Sequence, residues 1–334
     1  MCNRRQAISR ALLAAAALSA FSARADAADH IKATVPVPTD TAYAMYWVAA
    51  DKGYFAAEGL DVDVVLAGGG VATPALISGD AQFSGSPGAA IPAILKGAPL
   101  KLVFVTQDHP SYQLWASDPA IKTLQDLKGR QVGVITRGDS TEAATRRALI
   151  AAGVDPSTVA FTGMSIPGAR ATAIITGALP AAALTFDDVA TVEHSGKAHL
   201  LLDLSQAVQM VVGGAVTSDR MLKQNRPLAL RFIRALMKGY RYVRANKEAT
   251  IAILLKRYPN ETHDHYALVY DRVVATMTKD GTVPDRLAQQ AIDENAEVLD
   301  IPPDKRRPLA EFVDFSLARE ANAALDAEGW KPTP

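Results

Sequence analysis

The chain has 334 residues, 49% of them hydrophobic and 21% charged, with 22 Gly and 19 Pro, a globular mixture sized for about two domains. Lys+Arg and Asp+Glu are both 35, so no basic field exists to hold nucleic acid through its phosphates. One cysteine excludes an internal disulfide and a cysteine-based zinc cage.

Arg4, Arg5 and Arg10 precede an apolar, Ala-rich stretch from Ala11 to Phe21 and small-x-small sites around Ala25, which predicts a secretory signal peptide over residues 1–27. Its apolar run, about a dozen residues, is short of the ~20 that span a bilayer. Arg4-Arg5 followed by Ala7 leaves Sec and twin-arginine export both open. Without Arg4, Arg5, Arg10, Arg24 and Asp26, 31 basic and 34 acidic residues remain of the 35 of each, and Cys2 is gone. An exported, cysteine-free globular chain suits a bacterial periplasm, where binding proteins, hydrolases and envelope factors are the candidates.

Residues 31–37 read as a strand, and 39–53 have helical spacing that places Tyr43, Tyr46, Trp47 and Ala50 on one face. Residues 60–66 alternate as a strand, Gly68-Gly69-Gly70 breaks it, and a helix follows to Ser78. A short strand at 81–84, a helix at 88–96 and strands at 100–106 and 131–135 come next, then a helix at 140–152 and strands at 159–162 and 181–184. This alternation predicts mixed, mostly parallel sheets with helices on both faces. From Pro227 the pattern turns helical, over 228–245, 248–257, 265–279, 286–299 and 305–325. Residues 117–129 and Gly213-Gly214 are the candidate crossings between two lobes. The first lobe is expected to hold residues 28–116 and 214–334 and the second 117–213, with a ligand cleft between them.

No P-loop or complete dinucleotide fingerprint occurs. Gly85-Ser86-Pro87-Gly88 falls short of a nucleophile elbow. His263-Asp264-His265 has no evident third metal ligand. No cofactor and no metal are therefore expected. Gly138-Asp139-Ser140-Thr141 ends a strand and opens a helix, where free backbone N–H groups either bind an anion or are capped by Asp139 or Ser140. Gly70 and Ser86 sit in similar turns, and Asp187 follows the 181–184 strand, so all face the strand ends where α/β proteins bind ligands. Tyr46, Gln107 and Tyr112 are candidate cleft walls or anchors. The ligand-binding set is thus Tyr46, Gly70, Ser86, Gln107, Tyr112, Arg137, Ser140, Thr141 and Asp187, with no catalytic residue.

The segment from Trp47 to Val62, Trp-Val-Ala-Ala-Asp-Lys-Gly-Tyr-Phe-Ala-Ala-Glu-Gly-Leu-Asp-Val, resembles a signature of the solute-binding proteins of nitrate/sulfonate/taurine-type ABC importers, the NMT1/THI5-like group. Ile77–Phe83, Lys96–Val103, Asp126–Val134 and the Gly138–Thr141 turn are similar as well. The resemblance implies a two-lobed periplasmic binding protein fold of type II, closing by hinge motion on a solute and presenting it to a membrane permease. It implies that the loops around Tyr46, Gly70, Ser86, Gln107, Ser140 and Asp187 line the cleft, while Glu58-Gly59 is structural. The cysteine-rich motif of the group's pyrimidine-precursor synthases is absent. Asp187-Asp188 stands where a sulfonate pocket would hold neutral residues, which points to a ligand with an anionic and a donor end, or to a heterocycle. Arg137 is placed to pair with a carboxylate. The expected activity is capture of a sulfonate, carboxylate or heterocycle by a monomeric, non-enzymatic periplasmic receptor. An enzyme or a sensory protein on the same fold is the alternative.

Overall fold

Two five-stranded sheets arise because the apolar runs are separated by glycine turns and amphipathic helices. The computed structural model describes residues 28–36, 41–166 and 168–334; the expected signal peptide lies outside the described residues. The chain runs β1 (Asp29–Val35), α1 (Ala44–Asp51), α2 (Tyr54–Ala57), β2 (Leu60–Leu66), α3 (Gly69–Ser78), β3 (Phe83–Ser84), α4 (Pro87–Leu95) and β4 (Leu100–Gln107). It continues with β5 (Tyr112–Ala116), β6 (Gln131–Val134), α5 (Ser140–Ala151), β7 (Ala160–Gly163), α6 (Ala169–Ile175), β8 (Ala181–Thr185), α7 (Phe186–Ser195), β9 (His199–Asp203) and α8 (Leu204–Ala207). After β10 (Val212–Ser218) come the helices α9 (Asp219–Gln224), α10 (Arg226–Ala245), α11 (Lys247–Arg257), α12 (His263–Ala275), α13 (Asp285–Val298) and α14 (Ser316–Ala327).

The strand orders are β2-β1-β3-β10-β4 and β7-β6-β8-β5-β9. In the first sheet β1 is parallel to β2 and β3, and β10 is antiparallel to β3 and β4. In the second, β6 is parallel to β7 and β8, and β5 is antiparallel to β8 and β9. Each sheet thus has one reversed strand, and it is the strand that enters from the other sheet. A chain leaving one sheet at its cleft end must start the next strand at the cleft, so that strand runs away from it. The remaining strands of both sheets consequently end at the same cleft.

The crossings lie elsewhere than expected. Tyr112–Ala116, placed by the sequence reading in the first lobe, pairs with β8 and β9 of the second sheet. The outward crossing is residues 108–111. Residues 117–129 belong to the second lobe and contain a turn, Leu124–Leu127, closed by a Thr123/Asp126 capping box. Val212 and Gly213 already belong to β10, so the return crossing is 208–211. The two crossings touch, Met210 N donating to the Asp108 carbonyl at 3.0 Å.

The helix expected at 305–325 begins only at Ser316, because Pro303 and Pro308 break the pattern into two short turns, Pro303–Lys305 and Leu309–Glu311. The long helix α10 organises the first lobe. Its Phe232 stacks on Phe55 and Phe83, at 5.3 and 3.8 Å between ring centroids. Gly239 lets it approach α1 so closely that a Cβ there would lie 2.4 Å from the Met45 carbonyl oxygen. The Glu58-Gly59 part of the signature is structural, as expected. Gly59 supplies the left-handed turn into β2 at φ 71°, and Glu58 pairs with Arg234 at 2.8 Å and Lys238 at 2.5 Å on α10.

Candidate ligand-binding cleft

The strand-to-helix turns at the cleft do not end alike. Asp139 caps α5, accepting from Thr141 N at 3.0 Å and Glu142 N at 3.1 Å, and Glu142 accepts from Gly138 N at 2.9 Å. Two carboxylates therefore already occupy the amides where the sequence allowed an anion, and the capping alternative is the one realised. By contrast α3 starts from Gly68, which has no side chain to cap it, and Ser86 at the start of α4 makes no capping bond. Val71 N and Ala72 N donate to the Gly68 carbonyl, and in α4 Pro87 has no N–H while Ala89 N and Ala90 N donate to the Ser86 carbonyl, so Gly70 and Gly88 carry the first-turn amides left as oriented donors.

The expected site residues separate into three groups. Tyr46 is corrected to a core residue: it is fully buried against Phe232 and donates to the Gly214 carbonyl at 2.6 Å. Its ring turns toward α10, while Trp47 packs on Tyr258 and Arg257 at the end of α11. Thr141 is buried too, its hydroxyl accepting from Ile135 N at 3.0 Å and donating to Asp139 at 2.6 Å. Gln107 sits at the crossing, where its amide nitrogen donates to Ser111 and, at 2.5 Å, to Thr276; its buried Oε1 has no partner. Arg137 points outward with its side chain 66% exposed and lies 3.3 Å from Glu142, so its charge is matched within its own loop.

The second group comes together from both lobes. Gly88, two residues beyond Ser86, meets the start of α5: a Cβ there would lie 3.9 Å from both Cβ and N of Ser140. Ser140 Oγ in turn is 2.7 Å from the Tyr112 hydroxyl. Asp187 reaches the first lobe, where Thr41 Oγ1 donates to its Oδ1 at 3.4 Å and His265 Nε2 lies 3.5 Å away. The helix cap at this turn is Thr185, which accepts from Asp188 N at 3.2 Å, so Asp187 is released from local capping. Asp188, by contrast, is buried against Arg170 at 2.5 Å. Ser86 Oγ and Asp187 Oδ2 are both buried without a hydrogen-bond partner, and such atoms call for a ligand or a water. The third group is Gly70 alone, exposed at the start of α3.

Burial pushes the Asp187 carboxyl above its ordinary range, and the His265 hydrogen bond pulls part of that back. The same hydrogen bond raises His265 above 6.5. His265 was visible in the sequence only as part of a weak metal motif. Its actual partner, 78 positions away in the chain, had no local signal. Leu66 at the end of β2, Val71 in the first turn of α3 and Ile166 after β7 are apolar side chains left exposed.

The strand orders and the adjacent crossings define a two-lobed α/β protein with a cleft between the lobes. Residues 40–250 match the profile described as NMT1/THI5 like, and the chain belongs to that family. The riboflavin-binding protein RibY of Chloroflexus aurantiacus is 26% identical over 227 residues, spanning 65% of this chain and 63% of that one, so the chain spans under two thirds of that relative's length. A solved structure from Bordetella bronchiseptica matches with a TM-score of 0.78 at 22% identity, over 90% of this chain and 99% of the other. The periplasmic aliphatic sulphonate binding protein SsuA from Escherichia coli matches with a TM-score of 0.69 at 20% identity, over 83% and 91%.

Proposed function

We propose that the chain is the solute-binding subunit of an ABC importer, exported to the periplasm, and that its solute is an uncharged heterocycle bearing N–H or O–H donors. The observation that carries this reading is the pair of buried, unpartnered atoms, Ser86 Oγ and Asp187 Oδ2, on opposite lobes. A ligand between them joins the lobes, favours the closed arrangement and so creates the surface that a permease recognises. Asp187 requires a donor. The Gly70 and Gly88 amides suit carbonyl acceptors, and the exposed side chains of Leu66, Val71 and Ile166 suit a flat apolar body. A sulfonate fits less well, since Asp139 and Glu142 occupy the α5 amides. The ligand named for the Chloroflexus relative belongs to the heterocyclic class. The fold alone does not exclude catalysis; the binding reading rests on a cleft whose polar groups need ligand partners rather than a nucleophile with its base.

The test is a thermal-shift and calorimetric panel of riboflavin, simple pyrimidines, alkanesulfonates and nitrate. A heterocycle at 100 times its dissociation constant is expected to add about 2.7 kcal/mol of stability, with Asp187→Ala weakening its binding about tenfold or more. Binding of sulfonate or nitrate alone, indifferent to Asp187→Ala, would reject the heterocycle.

A further inference from the structure

A second cavity lies beyond the Gly88 and Ser140 contact. It offers about 650 Å³ between α5 and α13, with residues 207–211 completing the wall; Gly88, Asp139 and Ser140 line its cleft end, whereas Ser86, Tyr112 and Asp187 do not line it. That volume is within the range of about 300–1,000 Å³ typical of small-molecule sites. Ala143, Arg147 and Ile150 recur on one face of α5, opposite Ala291, Glu294 and Val298 on α13. Ile150 and Val298 are 64% and 74% exposed, so each lobe contributes one branched apolar side chain left in water beside the cavity.

Four of the five charged side chains in its lining are ion-paired, Glu297 lying 3.9 Å from Arg306, and the fifth, Asp139, accepts from the Thr141 and Glu142 amides. The Arg147 guanidinium binds the Glu294 carboxylate through Nη2 and the Gln209 carbonyl through Nη1, and Arg146 pairs with Glu142 at 2.7 Å. Arg147 Nε remains, a buried donor without a partner. Burial is also felt in the Arg147 ionisation, pushed down to about 10. An anion brought to Nε would meet the Glu294 carboxylate, whereas a neutral acceptor oxygen would satisfy Nε and leave the pair intact.

We propose that this cavity is a second binding site, adjoining the cleft at Gly88 and Ser140 but not reaching Ser86 or Asp187, for an uncharged, mainly apolar molecule carrying a hydrogen-bond-accepting oxygen directed at Arg147 Nε. Its walls come from both lobes, so an occupant also ties the lobes together.

The probe is 6-propionyl-2-(dimethylamino)naphthalene, an uncharged naphthalene with a ketone oxygen, whose emission moves to the blue when it leaves water. Titrated into the purified protein, it is expected to bind saturably, one molecule per chain, with blue-shifted emission. Ala143→Trp, which fills the cavity, should weaken binding by about tenfold or more, and Ile150→Glu at the exposed rim should weaken it while leaving the melting curve unchanged. Arg147→Lys keeps a cation for Glu294 but removes Nε and should also weaken binding. Asp187→Asn, in the cleft, should leave dye binding unaltered. The proposal is overturned if no saturable binding occurs, if binding survives both Ala143→Trp and Ile150→Glu, or if Asp187→Asn abolishes it.

Discussion

Asp187 and His265 couple the lobes through groups that titrate. His265 is raised above 6.5 chiefly by its hydrogen bond to Asp187, so the stability it contributes is complete below 6.5 and is lost as pH rises through the raised value. Asp187 is raised above 3.8 chiefly by burial, so the folded form also holds its proton more tightly, and that contribution too declines with rising pH. Both signs agree. Wild-type stability relative to the double variant Asp187→Asn with His265→Gln should therefore fall as pH rises from the ordinary carboxylate range to above the ordinary imidazole range, as measured by chemical unfolding. Parallel pH dependences in the two proteins would show that the pair does not titrate with folding. Ser86 acts differently, because its unpartnered hydroxyl carries no charge. Ser86→Ala should leave the melting temperature unchanged or slightly higher and weaken solute binding, a contrast that calorimetry on one preparation can read.

At the scale of elements, the contact of α10 with α1 depends on the missing side chain of Gly239. Alanine is the better helix former by up to about 1 kcal/mol. Here its methyl would lie 2.4 Å from the Met45 carbonyl oxygen and 3.2 Å from Ala49 Cβ. Backbone must move to admit it, so Gly239→Ala should destabilise by about 1–3 kcal/mol in urea unfolding; a stabilised variant would contradict the packing. Glu58 anchors the same helix from the other end of the signature, with Arg234 and Lys238 as partners and only 13% of its side chain exposed. Glu58→Gln leaves the Lys238 ammonium facing a neutral group, while Arg234 keeps Glu328, and should cost about 2–4 kcal/mol. The most recognisable segment of the chain is accordingly a clamp for the C-terminal helices, and the proposed ligand contacts lie in less conspicuous turns.

The whole molecule is two sheets joined by adjacent crossings, so relative movement of the lobes changes the distance between Gly88 and Ser140. A Cβ at Gly88 would stand 3.9 Å from Ser140 Cβ, within the span of about 3.5–4.5 Å that a disulfide bridges. The chain's one cysteine, Cys2, lies in the expected signal segment. Gly88→Cys with Ser140→Cys, produced without residues 1–27, should therefore form an intramolecular disulfide under mild oxidation. That bond should hold the lobes together and slow solute exchange until a reductant is added. Thiols that stay titratable in the folded, oxidised protein would mean the two helix starts do not approach in solution.

Much of this organisation was legible along the chain because it is local. Alternation in Leu60–Leu66, the glycine turn after it and the strand-to-helix spacing around Gly138–Thr141 are backbone preferences, and they placed β2, α3 and α5 within a few residues. Ser86 and Asp187 could be nominated for the same reason, since each follows a readable strand. The crossings could not be placed, because β5 and β10 become strands by pairing with neighbours distant in sequence, Tyr112 opposite Thr185 and Val212 opposite Gln107. Tyr46 looked like a cleft wall until α10, nearly two hundred residues later, covered it. Likewise the partners of Asp187, Arg147 and Glu58 arrive from helices of the C-terminal third. Periodicity specifies which face of an element is apolar. Which other face covers it, and which polar atoms are then left without partners, depends on contacts between residues far apart in the chain, and those form only when both lobes are folded.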